Sequence, residues 1–178
     1  MSRFVHYELR RLERRLLRLC ALAEESIQKA LRACRDDDTD LAEDVIRRDV
    51  NIDKLEVYIE EECLKLLALY QPVASDLRFI VSAMKINNDL ERVGDLATNV
   101  AKAALKMGQI PNVQLMSTLT EMGEKAITLL RMSLDAFMKQ DSDLAIEVRR
   151  KDAEVDELNR DVARMVLSLL GEYEAQHE

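Results

Sequence analysis

Three pairs of carboxylates stand four residues apart in this chain: Asp49 and Asp53, Glu91 and Asp95, and Asp152 and Asp156. On a helix, residues at that spacing share a face, and like charges there cost about 0.2–0.5 kcal/mol per pair. A single pair of this kind is adequately explained by a solvated helix face. Three pairs, two of them at equivalent positions of an internal repeat, raise the question of what offsets the repulsion. A hard cation is one answer, because Mg²⁺, Ca²⁺ and Mn²⁺ suit all-oxygen ligand sets, and iron also accepts carboxylates. Salt bridges to Arg47, Arg48, Arg92 or Arg150 are a second answer, and water is the third. Spacing alone does not choose among them.

The elements that carry these pairs read as five long helices. Leu9, Leu12, Leu16, Leu19, Ala23, Ile27 and Leu31 recur at helical spacing and predict a first helix from about residue 2 to 35. It stops at the acidic turn Asp36-Asp37-Asp38-Thr39. Thr39 or Asp40 is the expected cap of a second helix, which carries Leu41, Val45, Ile52, Leu55, Ile59, Leu66 and Leu67 and ends near Tyr70. Pro72 is expected to open a third helix, where its missing N–H is harmless. The apolar face of that helix reads Leu77, Ile80, Val81, Met84, Leu90, Val93, Leu96, Val100 and Ala104. Gly108 to Asn112 is the one Gly/Pro/Asn cluster and marks a boundary between units at 1–107 and 113–178. Helices four and five are expected over about 113–139 and 143–173. Helices of about 30 residues run ~45 Å and, joined by short turns, form antiparallel bundles.

The chain repeats itself at an offset of 103 residues. Asp38-Thr39-Asp40-Leu41-Ala42 lies over Asp141-Ser142-Asp143-Leu144-Ala145. Val45, Arg47, Asp49, Asp53 and Leu55 lie over Val148, Arg150, Asp152, Asp156 and Leu158, and eleven of the twenty-five positions from Leu31 to Leu55 are identical. Shared amphipathicity would reproduce leucines, not an aspartate pair in register, so the pattern reads as a duplication. The first copy has three helices and the second has room for two.

Composition narrows the class. Aromatics make up 4% of the chain, with four Gly, two Pro and no Trp, which leaves too little strand and turn material for sheets and predicts an all-α protein. The net charge of −8 argues against binding nucleic acid and favours cations and basic protein surfaces as partners. Cys20, Cys34 and Cys63 are odd in number and lack CxxC spacing, so reduced thiols packed in helix interiors are expected, in keeping with the cytosol. The stretch from Leu16 to Ala23 superficially resembles a signal sequence. Arg18 interrupts it, and Glu8, Glu13, Glu24 and Glu25 surround it, so a cytoplasmic protein is expected. Arg10, Arg11, Arg14, Arg15 and Arg18 form a basic stripe, read as a wet helix face or as a dock for an acidic partner or anionic lipid.

Gln71-Pro72-Val73-Ala74-Ser75-Asp76-Leu77-Arg78, Glu91-Arg92-Val93-Gly94-Asp95-Leu96-Ala97-Thr98-Asn99 and Arg48-Asp49-Val50-Asn51-Ile52-Asp53 together resemble the PhoU family of phosphate-uptake regulators, through its QPVAxDLR, ERxGDxAxN and RxDxxID segments. The resemblance covers essentially the whole chain. It implies tandem three-helix bundles, a cytoplasmic location, no enzymatic activity, and negative regulation between the ATPase of a phosphate ABC transporter and a sensor histidine kinase. It implies metal bound through E/DxxxD motifs, a divalent or ferric ion such as Mg, Mn, Fe or Zn. By position, Glu91 and Asp95 match the motif, Asp49 and Asp53 match its acidic partner, and Asn99, one turn beyond Asp95, could add an amide oxygen. Gly94 would let a neighbour approach. The family's second E/DxxxD falls on a sixth helix, at about 194 to 198, beyond Glu178. The chain is therefore read as C-terminally shortened, and Asp152 and Asp156 lack the expected partner.

Other classes of function fit less well. A di-iron carboxylate enzyme on a helical bundle wants a Glu-x-x-His motif on each of two helices, and the two histidines, His6 and His177, sit near the chain ends. No Walker A or Gly-rich phosphate loop is present. An accessory helical domain regulating a membrane phosphate carrier would share every motif above, touching membrane only through its partners. A second bundle of two helices would leave Leu129, Leu130, Leu134 and Phe137 facing an open groove with Val148, Val155, Leu158, Val162 and Leu169. Closure by a second copy, by the first bundle folding back or by a partner helix is expected, and self-association to a homodimer is the simplest of the three.

Overall fold

The computed structural model describes residues 3–107 and 112–177. Five α-helices follow in order: α1 (Arg3–Asp36), α2 (Thr39–Tyr70), α3 (Ala74–Met107), α4 (Val113–Lys139) and α5 (Ser142–His177). No strand occurs among the described residues. Of the cluster expected to separate the two units, Gly108 to Pro111 lie outside the described residues. Asn112 caps α4, its Oδ1 accepting from the Leu115 N–H at 2.8 Å.

Two helix starts differ from expectation. The α2 cap is Asp38, whose carboxylate accepts the Leu41 N–H at 2.9 Å, rather than Thr39 or Asp40. The α3 start is Ala74 rather than Pro72, because Gln71 and Ala74 both take left-handed backbone angles (φ 43° and 49°) that a helix cannot continue through. Asp141 repeats the Asp38 cap, accepting the Leu144 N–H at 2.9 Å. The duplication seen in the residues is therefore also a duplication of local geometry.

Helices α1, α2 and α3 pack mutually, α4 packs along α1, and α5 packs along α4 and no other helix. Leu12, Leu16 and Leu19 of α1 meet Ile52, Ile59 and Cys63 of α2 and Ile80 and Leu90 of α3 in the main core, all fully or nearly fully buried. Each such aliphatic side chain contributes about 1.5–3 kcal/mol on burial. All three cysteines are buried free thiols, and burial pushes Cys20 and Cys63 up to about 12, which keeps them protonated.

The buried face of α3 agrees only in part with the one its large apolar residues predict: Ile80 and Leu90, like Ala104, are buried and Met84 and Val93 half-buried, but the rest of that face is not. Leu77, Val81, Leu96 and Val100 are exposed, while Ala83, Asn87, Gly94, Ala97, Ala101 and Ala104 are buried. Small residues let three helices approach closely, and that close contact outweighs the side-chain area forgone at the larger positions.

Helix α1 closes part of the groove expected along α4. Leu129 and Leu134 are buried, Glu24 of α1 accepts from Arg131 Nε at 2.6 Å, and Phe79 of α3 adds a stack on Phe137 with ring centroids 5.0 Å apart. A Cβ on Gly123 would overlap the side chain of Leu31, so this glycine is what lets α4 lie so close to α1. Helix α5 has no such cover. None of its described side chains is buried; Val148, Val155, Leu158, Val162 and Leu169 are half-buried against α4, and Ile146, Leu167 and Leu170 are exposed.

Candidate metal-binding seam between α2 and α3

The seam between α2 and α3 is built on the buried row Val45, Ile52 and Ile59, which turns one flank of α2 toward α3. Asp49 and Glu56 fall on that flank and are half-buried, with Asp53 and Glu60 beside them and exposed. On α3, Glu91 is half-buried, and Asp95 and Asn99 are exposed. Gly94 joins the two helices: a Cβ there would stand 3.5 Å from Asp49 Oδ1. The expected role of this glycine, admitting a close neighbour, is what its surroundings show.

The carboxylates of the seam act on one another across the two helices. Burial first, then the charge of Asp53 and that of Asp95, hold the Asp49 carboxyl above its usual range, while the Thr98 hydroxyl and Lys102 pull the other way. Thr98 lies close enough to exert that pull, but its buried hydroxyl lacks the geometry of a formed hydrogen bond. Glu91 is raised by burial first and then by Asp95, Glu56, Asp53 and Asp49. Glu56 is raised by burial and then by Glu60 and Asp53. Asp49, Glu56 and Glu91 are thus each raised by burial first and then by the charges of neighbouring carboxylates, with Thr98 and Lys102 opposing the shift at Asp49 alone.

Arginine does not supply the compensation. Arg47 and Arg48 both turn to Asp44, at 2.8 and 2.9 Å, and Lys29 joins them at 3.2 Å, which pulls Asp44 down to about 2. Arg92 and Arg150 make no ion pair among the described residues, and neither do the six paired carboxylates. The salt-bridge reading of the pairs is set aside on this geometry, which leaves a cation or water.

Among the described residues, no three His, Cys, Asp or Glu side chains converge as a ready-made metal cage. The donor chemistry of the seam nonetheless fits a hard cation: it is all oxygen, its carboxylates make no ion pair among the described residues, and Asp53 and Asp95 are exposed. Asp152 and Asp156 stand apart from it. Both are exposed on α5, and no described helix faces them as α3 faces Asp49 and Asp53.

One member of the seam was not visible in the sequence. Asn87 is 1% exposed and donates from Nδ2 to the Glu56 carbonyl at 3.0 Å and to Glu56 Oε1 at 3.1 Å, while its Oδ1 has no partner. It holds Glu56 against the field of its neighbours. An asparagine on the polar edge of an amphipathic pattern gives no sign that it will be enclosed.

The basic stripe of α1 is partly consumed internally. Arg11 pairs with Glu8 at 2.9 Å, and Arg15 bonds Glu62 at 3.0 Å and lies over the Tyr58 ring. Arg10, Arg14 and Arg18 are exposed. No described helix is long and apolar enough to cross a membrane.

The fold and the seam define an all-helical bundle protein whose distinguishing surface is a row of uncompensated carboxylates shared by two helices. Residues 16–104 and 119–178 match the family model of the PhoU domain, and the chain belongs to the PhoU family. It is 38% identical over 161 residues to the phosphate-specific transport system accessory protein PhoU homolog of Aquifex aeolicus, an overlap of 90% of this chain and 73% of that one. It is 32% identical over 165 residues to the phosphate-specific transport system accessory protein PhoU of Escherichia coli, an overlap of 93% and 68%. Among solved structures, PhoU from Pseudomonas aeruginosa superposes with a TM-score of 0.87 at 35% identity, covering 94% of this chain and 80% of the other. The phosphate transport system regulatory protein PhoU from Streptococcus pneumoniae gives 0.86 at 34% identity, covering 94% and 79%.

Proposed function

We propose that this chain is a non-enzymatic accessory protein of a phosphate transport system. In this reading it works in the cytoplasm as a negative regulator, an adaptor between the transporter ATPase and a sensor histidine kinase, and reaches the membrane only through those partners. Its two units are tandem bundles. The observation that carries the reading is membership of a family whose compared relatives are named as accessory and regulatory proteins of phosphate transport.

The seam of Asp49, Asp53, Glu91 and Asp95, with Asn99 beside it, is in this reading the seat of a divalent or ferric ion. The ion would supply the positive charge that the carboxylates lack and would tie α2 to α3. The chain's own residues do the rest: Gly94 sets the helix separation, Asn87 steadies Glu56, and Asp49 and Glu91 present half-buried oxygens.

The test is a pull-down of the full chain with the transporter ATPase and the cytoplasmic part of the sensor kinase as separate baits. Retention by both supports the adaptor. Retention by neither, with a folded chain, contradicts it. Retention by a phosphate carrier in place of these two baits favours an accessory domain of that carrier.

A further inference from the structure

The arginines at the start of α1 fall into two rows with different surroundings. Arg11 pairs with Glu8 at 2.9 Å, and Arg15 pairs with Glu62 at 3.0 Å and lies 4.2 Å from the centroid of the Tyr58 ring. Arg10, Arg14 and Arg18 are exposed, and none of them has an ion pair among the described residues. Glu13, half-buried on the same stretch of helix, has none either. Tyr7, Arg10, Arg14, Leu17 and Ala21 recur along α1 at alternating spacings of three and four residues. All five are exposed, Tyr7 by 52% and Leu17 by 45%, while Leu9, Leu12, Leu16 and Leu19 carry the buried face.

Alternating spacings of three and four keep a stripe on one helix face over several turns, which is the geometry by which one helix packs along another. This stripe belongs to the first unit, whose three helices are all described and packed on one another, so its exposure does not depend on the open side of α5. Arg10, Arg14 and Arg18 span ~12 Å of the helix at about 1.5 Å per residue. In a chain of net charge −8 they form a local site for negative charge. An anionic lipid surface is the poorer match. A helix lying in a membrane interface sinks a broad apolar face between basic flanks. The broad apolar face of α1 is occupied by α2 and α3, and the chain as a whole repels a negative plane.

We infer that the outer stripe of α1 docks an acidic helix of a partner protein, one that sets carboxylates against Arg10, Arg14 and Arg18 and apolar side chains against Tyr7, Leu17 and Ala21. The carboxylates are required because the three guanidinium groups are otherwise unmatched. The apolar positions fix the register, since a slip of one turn sets an apolar side chain against a guanidinium. The stripe shares no residue with the carboxylate seam, so the inference holds whether or not the seam takes up metal.

The test uses the full chain and three fluorescent helical peptides of equal length. The first carries Leu and Glu on one stripe, in the order that complements α1. The second has the same composition with the stripe scrambled, and the third has Lys in place of the stripe's Glu. The first should bind saturably, with amide shifts at Tyr7, Arg14, Leu17 and Ala21, and should weaken as NaCl rises from about 50 to about 500 mM. The other two should bind at least ~10-fold more weakly. Arg14→Glu with Arg18→Glu should lose the first peptide and gain the third. Ala21→Trp, at an exposed position, should weaken the first without changing the circular dichroism spectrum. Equal binding of the first and second peptides, binding that survives Arg14→Glu with Arg18→Glu, or no binding at millimolar peptide would overturn the proposal. Binding to vesicles of phosphatidylglycerol and phosphatidylcholine in place of the peptide would overturn it in favour of a lipid surface. A homodimer that Ala21→Trp converts to monomer would overturn it in favour of a second copy of this chain.

Discussion

Gly94 faces Ile52 so closely that a Cβ on the glycine would lie 2.8 Å from Ile52 Cδ1 and 3.1 Å from its Cγ2. Ile52 is 2% exposed and has little room to withdraw. The missing side chain therefore sets the α2–α3 separation, and with it the distance between the two rows of carboxylates.

Gly94→Leu should destabilise the protein by about 1–3 kcal/mol through overpacking. Gly94→Ala should fall nearer to neutral, because the helix gains about 1 kcal/mol of propensity from alanine while Ile52 must shift. Chemical denaturation of the two variants checks both values. A Gly94→Leu protein as stable as the parent would show that the helices separate without cost.

The seam should also leave a mark on the pH dependence of stability. Asp49 and Glu91 are held above their ordinary range by burial and then by like charge, so the folded state takes up their protons more readily than the unfolded state does. Their contribution is unfavourable at neutral pH, and it is relieved as pH falls through the raised values toward the ordinary carboxylate range. Asp44 behaves in the opposite way. Held down to about 2 by hydrogen bonds first from Arg47 and Arg48 and then from Lys29, it stabilises above the ordinary range and loses that contribution as pH falls toward 2. Asp49→Asn with Glu91→Gln should accordingly melt higher than the parent at pH 7, and the gap should close on acidification. Thermal melts at stepped pH read this directly, and a gap that widens toward acid would refute the sign.

The contact between α1 and α4 can be weighed through Glu24 and Arg131. Glu24 is 9% exposed and accepts from both Cys20 Sγ and Arg131 Nε. Arg131→Ala leaves that carboxylate with a thiol as its remaining partner and should cost about 1–3 kcal/mol. A double-mutant cycle with Glu24→Gln should give a coupling of about 1 kcal/mol. Zero coupling would mean that apolar contacts such as Leu134 and Phe137 hold α4 in place unaided.

How much of this was legible in the sequence differs from element to element. The helices were, because leucine spacing in α1 and the acidic turn before α2 are local signals. The α2 cap was misplaced by one or two residues, at Thr39 or Asp40 instead of Asp38, because all three are able caps. The start of α3 was misplaced because Pro72 marks a preferred first turn, while the left-handed Ala74 depends on how the turn packs. The buried face of α3 was read correctly at Ile80, Leu90 and Ala104 and wrongly at Leu77, Val81, Leu96 and Val100, because large residues outweigh alanines in any hydrophobic pattern, and closeness of approach is a property of three helices together. The carboxylates were legible as pairs on helix faces, and Gly94 as a point of approach. Which pairs face each other was not legible from spacing, since Asp49 feels the charge of Asp95, and Glu91 that of Asp49, across helices, while no described helix stands opposite Asp152 and Asp156.

Metal uptake by the seam is the most direct test. Calorimetric titration of the full chain with Mn²⁺ and with Fe³⁺ in a weak chelating buffer, at pH 7 and again near pH 5, is compared with the same titration of Glu91→Ala/Asp95→Ala. The account predicts saturable binding at pH 7 that weakens at the lower pH, because the ligands must be deprotonated, and that disappears in the double variant. Uptake that is unchanged without Glu91 and Asp95, or no uptake by the parent chain, would contradict it.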